Sequence, residues 1–231
     1  MNRTFEAAVA ALILVTGFAG SVAAGPFEDG TAAYDRSDYA TAMRLLRPLA
    51  DQGDARAQFN LGRMYLRGEG VPPDPSAALS WYRKAADQGS ARAQSWIGVM
   101  YEAGDGVPKD YSAAAGWYRK AADQGDVYAQ YSLGRLYADG LGVPQDYAAA
   151  MSWYRKAADQ GDVVAQTTVG TMYERGQGVL KDYVLAHMWF NLAAATGGAP
   201  YAATQRDTLT AKMTQAQIAE AQRLAREWKP K

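Results

Sequence analysis

The nonapeptide WYRKAADQG occurs three times without a change, at 81–89, 117–125 and 153–161, and a fourth copy at 189–197 reads WFNLAAATG. Successive copies start 36 residues apart, and this fixed interval constrains the fold more than any other feature of the chain. A period of that length marks an array in which each unit buries its faces only against its neighbours. Every internal unit then meets the same surroundings, so the same residues serve each time. Extending the register gives four gapless units starting at Asp51, Asp87, Asp123 and Asp159, each D-Q-G-x-x-x-A-Q-x-x-x-G-x-x-Y-x-x-G-x-G-V followed by a second apolar run.

Spacing assigns two helices to each unit. Ala129, Leu133, Leu136 and Tyr137 share one helical face, and so do Ala150, Trp153, Tyr154 and Ala157. Asp54, Ser90, Asp126 and Asp162 stand where the first helices need N-caps, and Asp74, Asp110, Asp146 and Asp182 where the second helices do. Gly68, Gly104, Gly140 and Gly176 end the first helices, and Gly89, Gly125 and Gly161 the second. Gly62, Gly98, Gly134 and Gly170 fall inside helices, at about 1 kcal/mol each relative to Ala. Glycine kept at that point in every unit implies a close approach of the partner helix.

These residues make the chain resemble the Sel-1-like repeat (SLR) family, relatives of the tetratricopeptide repeats with a longer inter-helix loop. The resemblance implies an all-α fold, a right-handed α-solenoid of helix–turn–helix repeats. Repeats are expected at 51–86, 87–122, 123–158 and 159–194, after a shorter tetratricopeptide-like unit at 25–50 whose turn lacks the glycine loop. Beyond 194 the period fails, and 195–231 reads as a helical cap whose second helix starts at Thr214 with Gln217 completing a capping box. Leu192 replaces a lysine of the repeat, as expected if the cap covers that strip.

The first residues are of another kind. Arg3 precedes the uncharged run AAVAALILVTGF, and small residues at Val22 and Ala24 fit a signal peptidase. We expect 1–24 to be a signal peptide cleaved after Ala24, with the mature chain periplasmic or secreted. A retained membrane anchor is the alternative, although the run is shorter than the roughly 20 residues of a membrane span. With no cysteine there is neither a disulfide nor a lipidated cysteine anchor.

Chemistry is sparse. The chain has one histidine, His187, at a column held elsewhere by Leu79, Ala115 and Met151, which suggests packing. No P-loop, dinucleotide fingerprint or Gly-x-Ser-x-Gly pattern occurs, so no cofactor, metal or catalytic residue is expected. Basic and acidic residues number 24 each, which gives no global attraction to nucleic acid.

Positions that vary between copies carry the functional signal. By analogy with tetratricopeptide grooves, the variable first-helix positions line a concave wall. They are Arg56, Phe59 and Arg63, then Arg92, Ser95 and Val99, then Tyr128, Tyr131 and Arg135, then Val164, Thr167 and Thr171. Arg56, Phe59, Arg63, Arg92, Tyr128, Tyr131 and Arg135 would suit an extended acidic or C-terminal peptide, because guanidinium pairs bidentately with carboxylate. An ordinary solvated helix face is the plainer reading of the same residues. The expected role is a non-catalytic adaptor or regulator of envelope complexes that binds a protein or peptide partner. The alternatives are a carbohydrate- or peptidoglycan-binding repeat protein and a cell-wall hydrolase.

Overall fold

The computed structural model describes residues 25–196 and 199–230; the expected signal peptide at 1–24 lies outside them. Every regular element among the described residues is an α-helix, and these pair in sequence. The N-terminal unit is α1 (Pro26–Asp35) with α2 (Tyr39–Asp51). The four full repeats follow as α3 (Ala55–Arg67) with α4 (Pro75–Asp87), α5 (Ala91–Ala103) with α6 (Tyr111–Asp123), α7 (Val127–Asp139) with α8 (Tyr147–Asp159), and α9 (Val163–Arg175) with α10 (Tyr183–Ala195). The cap is α11 (Pro200–Thr210) and α12 (Gln215–Glu227). From α1 to α11 each helix packs against the next, and both cap helices dock on α10. Direct contact also joins α5 and α7, first helices of neighbouring repeats.

Local chemistry sets the boundaries. The Asp126 side chain accepts from the backbone N–H of Ala129, and Asp146 accepts from those of Ala148 and Ala149. Helix α7 stops at Gly140, whose φ of 68° is left-handed. The loop then closes through the N–H of Asp146, which donates to Tyr137 O at 2.9 Å. In the N-terminal unit, which has no glycine loop, Ser37 takes the left-handed conformation (φ 62°) of a three-residue turn.

In the four full repeats the glycine within the first helix faces an aromatic ring, whereas Gly30 of α1 faces Leu46. A Cβ on Gly134 would lie 2.8 Å from the Tyr154 ring, and one on Gly170 the same distance from Phe190. The close approach expected from sequence is therefore ring-to-backbone packing between the two helices of one repeat.

The repeated nonapeptide is now accounted for almost residue by residue. Its tyrosine lies on that glycine. Its tryptophan reaches back to the preceding unit: Trp81 joins the cluster of α1–α3, and Trp153 that of α6 and α7. Its lysine covers the tryptophan, with Lys84 Nζ 3.9 Å from the Trp81 ring and Lys156 Nζ 3.7 Å from that of Trp153. Its arginine reaches a tyrosine of the next repeat, as from Arg83 to the Tyr101 hydroxyl at 2.8 Å. The alanines are buried, the glutamine (Gln88) bonds back to Gln58 in the first helix of the same pair, and the glycine (Gly89, φ 87°) ends the helix. Trp117 is only partly buried, unlike Trp81 and Trp153.

In the fourth copy the surroundings differ, and so do the residues. Leu192 and Trp189 pack in one cluster with Leu224 and Trp228 of the cap, and the two indole rings meet edge to face at 6.2 Å. The Thr214–Gln217 capping box forms as expected.

Candidate functional site

The first helices carry the variable columns, and the structure divides the expected wall. A groove of about 420 Å³ lies where α3, α5 and the start of α7 meet, lined by Phe59, Arg63, Arg92, Ser95, Val99 and Tyr128 of the expected set. Arg67, Trp96 and Asp126 complete it. Three guanidinium groups thus face one carboxylate, and Asp126 already caps α7. The base is aromatic: Phe59 and Trp96 flank the buried Tyr82 ring, at centroid distances of 5.6 and 6.1 Å. Burial pushes the Tyr82 hydroxyl well above the usual phenol range.

The arginines are not equivalent. Arg67 lies 3.8 Å from Glu69. Arg92 is exposed and makes no ion pair among the described residues. Arg63 rests 3.8 Å over the Tyr34 ring, and its Nε is buried without a hydrogen-bond partner. Two cations therefore face the groove with no carboxylate bound to them.

Of the seven residues expected to suit a peptide, three lie outside the groove. Arg56 stacks on Phe27 at 4.0 Å and pairs with Asp54 at 3.1 Å and Glu28 at 3.7 Å, away from the groove. Arg135 is taken by an ion pair with Glu102, whose second oxygen accepts from the Tyr118 hydroxyl at 2.9 Å. Tyr131 packs on Tyr154 at 5.3 Å. Ser95, expected on an open wall, is buried. The arginines of one column differ because their partners lie in the preceding unit. Glu102 stands 33 residues before Arg135, and the same step from Arg63 lands on Gly30.

Trp96 and Arg67 went unnoticed in the sequence. Trp96 did leave a signal, since its column otherwise holds Asn60, Ser132 and Thr168, and one large ring among small polar residues implies a local surface. Arg67 left none.

His187 is buried, with Nε2 3.2 Å from Thr210 Oγ1, between α10 and α11. Burial, with a smaller contribution from Arg206, holds its pKa below the ordinary value of 6.5. Among the described residues no cluster of His, Cys, Asp or Glu is arranged to hold a metal ion. No described helix is long and apolar enough to cross a membrane.

Comparison with known proteins fits this architecture. The model of the Sel1 repeat family matches residues 27–54, 55–90, 91–126, 127–162 and 163–197. The chain belongs to the Sel1 repeat family. Its N-terminal unit, read from sequence as tetratricopeptide-like, is matched as a Sel1 repeat as well. Among solved structures, a Sel1 repeat protein from Oxalobacter formigenes is 33% identical with a TM-score of 0.75, over 87% of this chain and 84% of that one. A protective antigen of uropathogenic Escherichia coli strains, displaying an SLR fold, is also 33% identical with a TM-score of 0.77. That match covers 87% of this chain but 46% of the antigen, so the chain spans about half the antigen's length. A Sel1 repeat protein from Klebsiella pneumoniae, 22% identical with a TM-score of 0.51, shares the fold over 80% of this chain and 91% of its own. No curated protein matched the chain. Sel1 repeats are generally non-catalytic units of protein–protein interaction.

Proposed function

We propose that this Sel1 repeat protein is exported and holds an acidic segment of a protein partner in the groove between α3, α5 and α7, as an adaptor or regulator in the cell envelope. One observation carries the reading: Arg63 and Arg92 face an aromatic-based groove without a carboxylate of their own. Guanidinium groups on such a surface favour carboxylates of a partner, and Phe59, Trp96 and Tyr128 supply rigid contact area. Export rests on the residues themselves, the uncharged run AAVAALILVTGF followed by small residues at Val22 and Ala24.

Capture from envelope extract, with parent protein and the Arg63→Gln/Arg92→Glu variant side by side, tests the groove. A species held by the parent should bind the variant at least about tenfold more weakly, or about 1.4 kcal/mol. Added salt should weaken the parent complex too, since part of the attraction is screened. Circular dichroism checks that the variant is folded. Equal capture by both proteins would move the partner to another face. N-terminal sequencing of protein from its native envelope tests export; it should read from Gly25, and an intact Met1 would refute cleavage.

A further inference from the structure

A second pocket, of about 330 Å³, lies at the other end of α7, between that helix, α9 and the first cap helix. Its volume is at the lower end of the range for small-molecule sites, about 300–1,000 Å³. One substitution between repeats accounts for it. In the repeat before, the Tyr118 hydroxyl donates to Glu102 at 2.9 Å. The position 36 residues after Glu102 is Ala138, which lines the pocket, and the tyrosine in register with Tyr118 is Tyr154. Tyr154 lines the pocket as well, is only 4% exposed, and its hydroxyl makes no hydrogen bond among the described residues. The shorter alanine leaves both a space and an accessible hydroxyl without a protein partner.

The remaining walls have a consistent chemistry. Tyr147, at the start of α8, and Tyr201, on α11, border the pocket and are 38% and 55% exposed, high for rings of that size. Thr167 and Thr171 spend their hydroxyl protons on the carbonyls of Val163 and Thr167, at 2.8 and 3.0 Å, which leaves their oxygens as acceptors. Asp139 adds a further acceptor and Arg175 a donor, and their charges cancel.

We propose that this pocket binds a neutral sugar ring, free or at the end of a glycan chain. A pyranose hydroxyl both donates and accepts, so it satisfies the threonine and aspartate oxygens as well as Tyr154 and Arg175. The apolar C–H face of the sugar packs on a tyrosine ring, whose π face is its negative side. The absence of net charge separates this pocket from the arginine groove, which favours anions. The two sites are independent, and either can fail without the other.

Titration with N-acetylglucosamine, its β-1,4-linked tetramer and maltotetraose, followed by NMR of labelled protein, tests the assignment. Resonances of Thr167, Thr171 and Tyr154 should shift with at least one of the three. A tighter complex with a tetramer than with the single sugar would identify a glycan end as the ligand, and equal affinities would identify a free sugar. Ala138→Glu restores to Tyr154 the partner that Tyr118 has, and the preceding repeat shows that this arrangement folds. It should weaken sugar binding at least about tenfold, and so should Tyr201→Ala on the cap surface. Arg63→Gln should leave it unchanged. The proposal is overturned if no sugar shifts these resonances, if Ala138→Glu binds as the parent does, or if only a tyrosine-containing peptide occupies the pocket.

Discussion

The side-chain amide of Gln124 donates to Gln94 Oε1 across 2.8 Å, from the end of α6 to α5 of the same repeat. Gln94 in turn donates to the Ala86 carbonyl at 3.4 Å, and the same relay runs through Gln88–Gln58 and Gln160–Gln130, each at 2.8 Å. The two glutamines of the repeat motif thus satisfy buried polar groups in every full unit but the last. There Thr196 stands in place of the donor, and Gln166 Oε1 is buried with no partner.

Breaking the relay should cost stability, because it removes hydrogen bonds between buried groups. Gln94→Leu takes one bond from the Ala86 carbonyl, which still accepts from the Gly89 N–H, and one from the Gln124 amide, which still donates to the Lys120 carbonyl, and should cost about 0.5–1.5 kcal/mol. Thr196→Gln offers the missing donor to Gln166 and should add about 0.5–1.5 kcal/mol. Urea melts of the two variants measure both, and a Thr196→Gln protein no more stable than the parent would refute the vacancy at Gln166.

Trp153 is buried against the preceding repeat and covered by Lys156, so its loss leaves a cavity between units. Trp153→Ala should cost about 3–5 kcal/mol. A change below about 1 kcal/mol in denaturant melts would show that the neighbouring helices collapse into the space.

Deleting 199–231 should uncover Trp189, which is fully buried in the intact chain, together with Leu192. End repeats need a polar outer cover, so the truncated protein should aggregate or melt less cooperatively. Light scattering and a thermal melt decide this; a monomer with an unaltered transition would make α11 and α12 dispensable.

His187 should make stability depend on pH. Its folded pKa lies below the 6.5 of the unfolded chain, so the unfolded state binds the proton more readily. The contribution of the neutral imidazole is complete above pH 6.5 and declines as pH falls from there towards the folded pKa. His187→Met, the residue of the register mate Met151, should flatten that part of the profile. An identical pH dependence in parent and variant would assign it to other groups.

The sequence by itself determined the repeat, the helix boundaries and the internal packing of each unit. Asp126, Gly140, Gly134 and Tyr154 act within a few residues or within one helix pair, where spacing along the chain fixes spacing in space. Trp96 was within reach of the same logic, as a lone ring in a column of small polar residues. Tertiary structure alone decided which side chains were free. Arg63 and Arg135 share a column, yet only Arg135 meets a carboxylate, and Tyr118 and Tyr154 share another, yet only Tyr118 meets Glu102. Glu102 lies in the same repeat as Tyr118 and in the repeat before Arg135, and whether one carboxylate meets both depends on how the helices are rotated against one another. That rotation comes from packing summed over the whole interface, which a periodic sequence does not spell out at any single position.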